Sequence, residues 1–173
     1  MGIPNYNVDF ERQYEFTQMG TITEEQAALG VDGRDNASVV ALADAKKVIY
    51  APEEGTPAIE IRLRTDGTAD NAFTLYIYAA RGADYYTRVA TLACIQGTQD
   101  WSSGHFVDSI TITDEKWDHG TSVDLTANEI GRFFMNLGGY DRFLFISDDV
   151  TDDDITTLSV DIARVDHLIS RGT

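Results

Sequence analysis

The sequence predicts an all-β protein built as an antiparallel β-sandwich. Three observations carry that expectation: runs of alternating apolar and polar residues recur from about residue 39 onward, turn residues separate them, and no stretch keeps the apolar period of a helical crossover. About ten such runs are more than one open sheet usually holds without curling or splitting, so two packed sheets are expected. The division is an N-terminal arm over residues 1–38 and a sandwich domain over residues 39–173.

Within the arm, Tyr6, Phe10 and Tyr14 are spaced i, i+4, i+8 among Asp9, Glu11, Arg12 and Glu15, which suits either a helical face or an extended segment with aromatic anchors. Thr23-Glu24-Glu25-Gln26 has the form of a capping box ahead of Ala27-Ala28-Leu29, with Gly30 as the stop, so at most one short helix is expected there. The arm is too small and polar for a core of its own. Its aromatics dock on the sandwich or on a neighbouring subunit, and both options stay open at this point.

The sandwich is expected to start with strands at Val39–Ala43 and Lys46–Tyr50, followed by a loop, Glu53-Glu54-Gly55-Thr56, between Pro52 and Pro57. Ala58–Arg64 is the clearest strand: Ile59, Ile61 and Leu63 share one face and Glu60, Arg62 and Arg64 the other, the pattern of a half-buried antiparallel strand. An Asp-Gly turn at Thr65–Thr68 leads to Phe73–Ala79, where Phe73, Leu75 and Ile77 face the core while Thr74, Tyr76 and Tyr78 face outward or into a second contact. The alternation continues through Tyr86–Ile95, His105–Thr113, Thr121–Leu125, Ile130–Asn136, Arg142–Ser147 and Thr156–Val165, with Gly138-Gly139 as a tight connection.

Composition narrows the function. The 173 residues carry 13 Lys and Arg against 29 Asp and Glu, a formal charge of −16, which repels phosphate and argues against direct nucleic-acid binding. With 43% hydrophobic and 10% aromatic residues the chain has enough apolar material to fold despite that charge. No apolar run reaches the length of a membrane span, and the first residues lack the basic and apolar segments of a secretory signal. Cys94, the single cysteine, lies in a strand-like run and reads as a small buried hydrophobe.

Catalytic motifs are not found: His105, His119 and His167 are scattered, and neither a G-x-S-x-G elbow nor a phosphate-cradling glycine motif occurs. An enzyme is therefore not expected, nor a cofactor. The densest acidic feature, Asp148 to Asp154, gathers carboxylates on one loop, and calcium is the cation it would take through Asp148, Asp149, Asp152 and Asp154. Its spacing is not that of an EF-hand, and a solvated loop is the plainer reading. Aromatics are the stronger surface signal. Tyr76, Tyr78, Tyr85, Tyr86 and Trp101 lie on or beside strands, where some must face outward, to anchor a protein interface or stack on sugars, or to pack under a loop or the N-terminal segment.

The order of Ala51-Pro52, Ile59-Glu60-Ile61-Arg62, Tyr76-Ile77-Tyr78-Ala79-Ala80-Arg81-Gly82 and Gly97-Thr98-Gln99 resembles small β-sandwich virion proteins of tailed bacteriophages, and so do Asp108-Ser109-Ile110, Trp117, Asn128-Glu129-Ile130-Gly131-Arg132 and Gly138-Gly139-Tyr140-Asp141. The likeness covers about residues 48–165 and is one of layout, not of a signature motif. It implies a jelly-roll-like capsid decoration or cement protein without catalytic residues. Such a protein is made in the host cytoplasm and resides in the virion as a homo-oligomer against the major capsid or other virion proteins. Interface candidates are then Tyr6, Phe10, Tyr14, Tyr76, Tyr78, Tyr85 and Trp101. The alternative is a carbohydrate-binding sandwich module that uses the strand aromatics as a platform, with calcium as a stabiliser.

Overall fold

The computed structural model describes residues 16–30, 34–66, 72–82, 85–101, 104–115, 123–124, 132–148 and 155–165. Their elements, in chain order, are β1 (Thr17–Ile22), β2 (Arg34–Asp35), α1 (Asn36–Val40), a 3-10 turn (Asp44–Lys46), β3 (Val48–Tyr50), β4 (Ala58–Thr65), β5 (Ala72–Ala80), β6 (Tyr85–Trp101), β7 (Gly104–Glu115), β8 (Val123–Asp124), β9 (Arg132–Asn136), β10 (Arg142–Ser147) and β11 (Leu158–Val165).

Hydrogen bonds join the strands in the order β1-β11-β4-β7-β6-β5-β10-β3, and every pairing is antiparallel. Divided between β7 and β6, this is one layer β1-β11-β4-β7 and a second β3-β10-β5-β6. Among these eight, each strand passes to the opposite layer from the one before it, except at the β5–β6 hairpin. That is the strand order of a jelly roll, as the sequence leads one to expect. The edge of β4 is shared: β9 pairs with Ala58–Arg62 and β7 with Arg64 and Thr65. β6 and β7 pair from Ala90 to Gln96 and again at Asp100 and Trp101, so the two layers are joined on that side.

The alternation read from the sequence places the core. Ile59, Ile61 and Leu63 of β4 meet Phe73, Leu75 and Ile77 of β5, Phe143 and Phe145 of β10, and Leu158, Val160 and Ile162 of β11 in one cluster of buried side chains. A bulge in β6 sets Val89 between the residues that pair with Ile77 and Tyr78, and both Val89 and Ala90 are buried. Gly138 and Gly139, at φ 57° and 80°, turn the chain from β9 in one layer to β10 in the other, closed by the Tyr140 N–H on the Leu137 carbonyl at 2.9 Å. Two consecutive positive φ values are what makes glycine the residue for this turn.

Four expectations shift. Residues 39–43 are not a strand: the described helix is α1, and it lies in this region instead of after the capping box at Thr23. The N–H groups that a helix there would leave for its cap are taken by distant carbonyls, those of Thr23 and Glu24 by Ala45 at 2.8 and 3.0 Å and that of Gln26 by Ser147 at 2.7 Å. Tertiary bonds replace the local ones. Lys47, expected on a strand, donates from Nζ to the carbonyls of Val39, Val40 and Leu42 at 3.3, 2.9 and 2.6 Å, satisfying the C-terminal end of α1.

The second shift concerns residues 1–38. β1 falls inside them yet pairs with β11 from Thr17 to Ile22, and Ile22 is buried in the main core, so this stretch is part of the sandwich. Third, β4 is not half-buried. Its outward Glu60 is as buried as the core, as are Ala58, Ala163 and Val165 on the same face. Fourth, Asp66 does not serve only a local turn: its Oδ1 accepts from the N–H groups of Thr156 and Thr157 at 2.9 and 2.7 Å, and its Oδ2 from the Thr156 hydroxyl. It thereby ties the end of β4 to the start of β11.

Candidate interaction surface

The outward residues of β5 are those the sequence marks as aromatic, and the fold uses them differently from one another. Tyr78 faces away from the main core and is fully buried, in a second cluster with Ala80, Tyr86, Leu144, Ile146 and Val39, against which Leu29, Leu42 and Tyr76 pack. The covering residues come from the chain's own segment between β1 and β3. The Tyr78 hydroxyl accepts the Leu29 N–H at 2.9 Å, which fixes the segment's entry onto the sheet. Of the two docking options for residues 1–38, the described part docks on its own sandwich.

Tyr76, half-buried, donates its hydroxyl to Asp148 Oδ2 at 2.6 Å, while the Thr74 N–H donates to Asp148 Oδ1 at 3.0 Å. Burial and the Asp148 carboxylate together push the Tyr76 phenol up to about 12, so it stays protonated and keeps donating. The Arg88 guanidinium lies 5.9 Å from the Tyr76 ring centroid. Asp148, offered by the sequence as a cation ligand, thus spends both oxygens on β5. Asp149, Asp152 and Asp154 lie outside the described residues, and among the described residues no three His, Cys, Asp or Glu side chains come together in a way that could hold a metal.

Among the candidate rings whose side chains are described, Tyr85 is the one left open. It is 61% exposed at the start of β6, opposite Asp35 of β2, and α1 begins at the very next residue and ends on Val40, 59% exposed. Tyr85 and Val40 therefore belong to one corner of the molecule, where adjoining Tyr86 and Val39 are buried in the second cluster. Alternation explains the contrast for Tyr85 and Tyr86: neighbouring residues on a strand face opposite sides. Trp101 ends β6 opposite Gly104, and its side chain lies outside the described residues, as do Tyr6, Phe10 and Tyr14.

Sequence reasoning missed the ionic centre of the opposite layer. Asp161 of β11 is 1% exposed and accepts from Arg62 Nε and Nη2 at 3.0 and 2.8 Å and from Arg64 Nε and Nη2 at 2.7 and 2.9 Å. Phe16 stacks on Arg62, its ring centroid 4.2 Å from Cζ. Arg62 and Arg64 sit two apart on β4, on either side of the position that pairs with Val160, and Asp161 pairs with Arg62 itself. A lone carboxylate between Val160 and Ile162 in a mostly apolar strand was the available signal, since once buried it has to be satisfied by basic side chains on a neighbouring strand.

Cys94 is buried, and burial pushes its thiol well above the usual range, so it is no nucleophile in the folded chain. Among the described residues no helix is long and apolar enough to cross a membrane. Comparison with protein-family models, with curated proteins and with solved structures finds no match.

Proposed function

We propose that the chain is a non-enzymatic structural protein of a tailed-phage virion, a decoration or cement protein that stabilises the head through protein–protein contacts. The observation that carries this reading is the fate of the outward aromatics. A sugar platform needs rings open on a sheet face, whereas Tyr78 lies beneath the chain's own residues and Tyr76 is tied to Asp148. Among the marked rings whose side chains are described, Tyr85 remains, with Val40 an apolar anchor at a corner, which suits a protein contact better than a stacking surface.

The jelly-roll order supports the same reading by analogy, because double-sheet jelly rolls recur in capsid and lectin domains. In this role the protein acts by burying apolar area where it meets the shell and its own copies, so binding stabilises the assembled state by mass action. An acidic exterior keeps free copies dispersed before they assemble.

The test is co-sedimentation with heads purified from a phage lacking the protein. Saturable binding is expected, weakened about tenfold or more by Tyr85→Ala, since anchor rings at interface hot spots are worth about 2 kcal/mol or more and each 1.4 kcal/mol is about tenfold. A truncation must stop at residue 15, because residues 17–22 form a strand and Leu29, Val39 and Leu42 seal the second cluster. Heads that bind nothing at micromolar protein refute the proposal.

A further inference from the structure

The second cluster takes its cover from one excursion of the chain, which leaves β1 at Ile22 in one layer and returns to β3 at Val48 in the other. The neck of this excursion is closed by its own bonds. The N–H groups of Thr23 and Glu24 donate to the Ala45 carbonyl at 2.8 and 3.0 Å, and Lys46 Nζ lies 4.0 Å from Glu24 Oε2. Beside the neck β1 and β3 touch: a Cβ on Gly20 would come within 2.9 Å of Val48 Cγ2, so the two strands keep this approach only with glycine there. Lys47 leashes α1 to the neck through the carbonyls of Val39, Val40 and Leu42. All of these contacts lie within or at the root of the excursion, and none of them presses it onto the sheet.

What fastens residues 25–44 to the sheet is of a different kind. Among those described, the Gln26 N–H donates to the Ser147 carbonyl at 2.7 Å, the Leu29 N–H donates to the Tyr78 hydroxyl at 2.9 Å, and β2 pairs with β6 over two residues. Val39 is fully buried against Tyr78, Tyr86, Leu144 and Ile146, with Leu29 and Leu42 partly so. The main core takes no described side chain from this stretch. We infer that residues 25–44 are a lid that opens on its neck while the sandwich stays folded, and that the Tyr85–Val40 corner exists only while the lid is closed. A segment with its own closure, few bonds to the sheet and no share in the main core opens at lower cost than the domain. Val40 travels with α1 whereas Tyr85 stays on β6, so opening parts the corner and uncovers the Tyr78 and Tyr86 rings instead. A partner that grips both halves of the corner selects the closed state. The lid itself does not rest on the virion reading.

The experiment compares two thiols in one full-length chain. Ala80 is 1% exposed beneath the lid, so Ala80→Cys reports opening of the lid, and the native Cys94, in the main core, reports unfolding of the sandwich. With a thiol reagent in excess, Ala80→Cys is expected to react at least about a hundredfold faster than Cys94. Its rate should also climb less steeply from zero to about 2 M urea, because opening the lid exposes less surface than unfolding the sandwich. Hydrogen exchange on the unsubstituted chain gives a second readout that does not depend on the variant. The Gln26 and Leu29 amides are expected to exchange together, ahead of the amides in β4 and β5. Two results overturn the inference: the two thiols reacting at the same rate with the same urea dependence, or the Gln26 and Leu29 amides exchanging only when those of β4 and β5 do.

Discussion

Asp161→Ala tests whether the ionic centre of the first layer is part of what holds the sheet together. Four guanidinium N–H groups converge on one carboxylate that is 1% exposed, from arginine side chains that are themselves 19% and 15% exposed. Counting each bond at the value of an isolated charge-assisted bond would overstate the loss, because both arginines keep other interactions and regain some water. Removing one member of a buried ion pair costs about 3–5 kcal/mol, since it strands the remaining charge. For a chain of this size the unfolding slope is about 2–3 kcal/mol per molar urea, so the midpoint should fall by roughly 1–2.5 M. The corresponding drop in melting temperature is about 6–20 °C. Glu53→Gln is the control. It breaks an ion pair of similar length, 3.1 Å, whose side chains are 46% and 84% exposed, and should cost under about 1 kcal/mol. A loss below about 1 kcal/mol for Asp161→Ala, indistinguishable from that control, would refute the reasoning that burial decides the worth of this pair.

Three further outcomes are expected. Tyr78→Phe removes the acceptor of the Leu29 N–H inside the second cluster and should cost about 1–2 kcal/mol, with faster hydrogen exchange at the Leu29 amide; unchanged exchange would mean the bond does not seat the segment. Burial alone would raise the Asp66 carboxyl, but its bonds from Thr156 and Thr157 outweigh that and hold it below the ordinary value of 3.8. The folded pKa lies below the unfolded one, so this contribution is full above about pH 4 and fades as pH falls through the folded value. Melting curves from pH 5 to pH 2.5 should therefore fall less steeply in Asp66→Ala, and parallel curves would deny the linkage. Cys94 should resist a thiol reagent at pH 8 in the native protein and react at once in denaturant; rapid native labelling would contradict its burial.

The sequence alone determined the inner faces. Period-two alternation is a local property, so Ile59, Ile61, Leu63, Phe73, Leu75 and Ile77 could be assigned to the core before any pairing was known, and Gly138-Gly139 announced a turn that needs positive φ. Alternation says which residues share a face but not what that face meets. Whether Tyr78 looks into water or into Leu29, Val39 and Leu42 depends on where a segment more than thirty-five residues away comes to rest. The same limit governed the helix. A capping box at Thr23 is a local signal, and it lost to the Ala45 and Ser147 carbonyls, which only the folded chain brings within 3.0 Å of those N–H groups. Of the candidate surface, Tyr85 was legible as a candidate outward ring, whereas the hydrogen bonds from Thr74 and Tyr76 to Asp148 and the convergence of Arg62, Arg64 and Asp161 were not. Charges are placed by sequence, but their partners are chosen by register between strands that lie about a hundred residues apart along the chain.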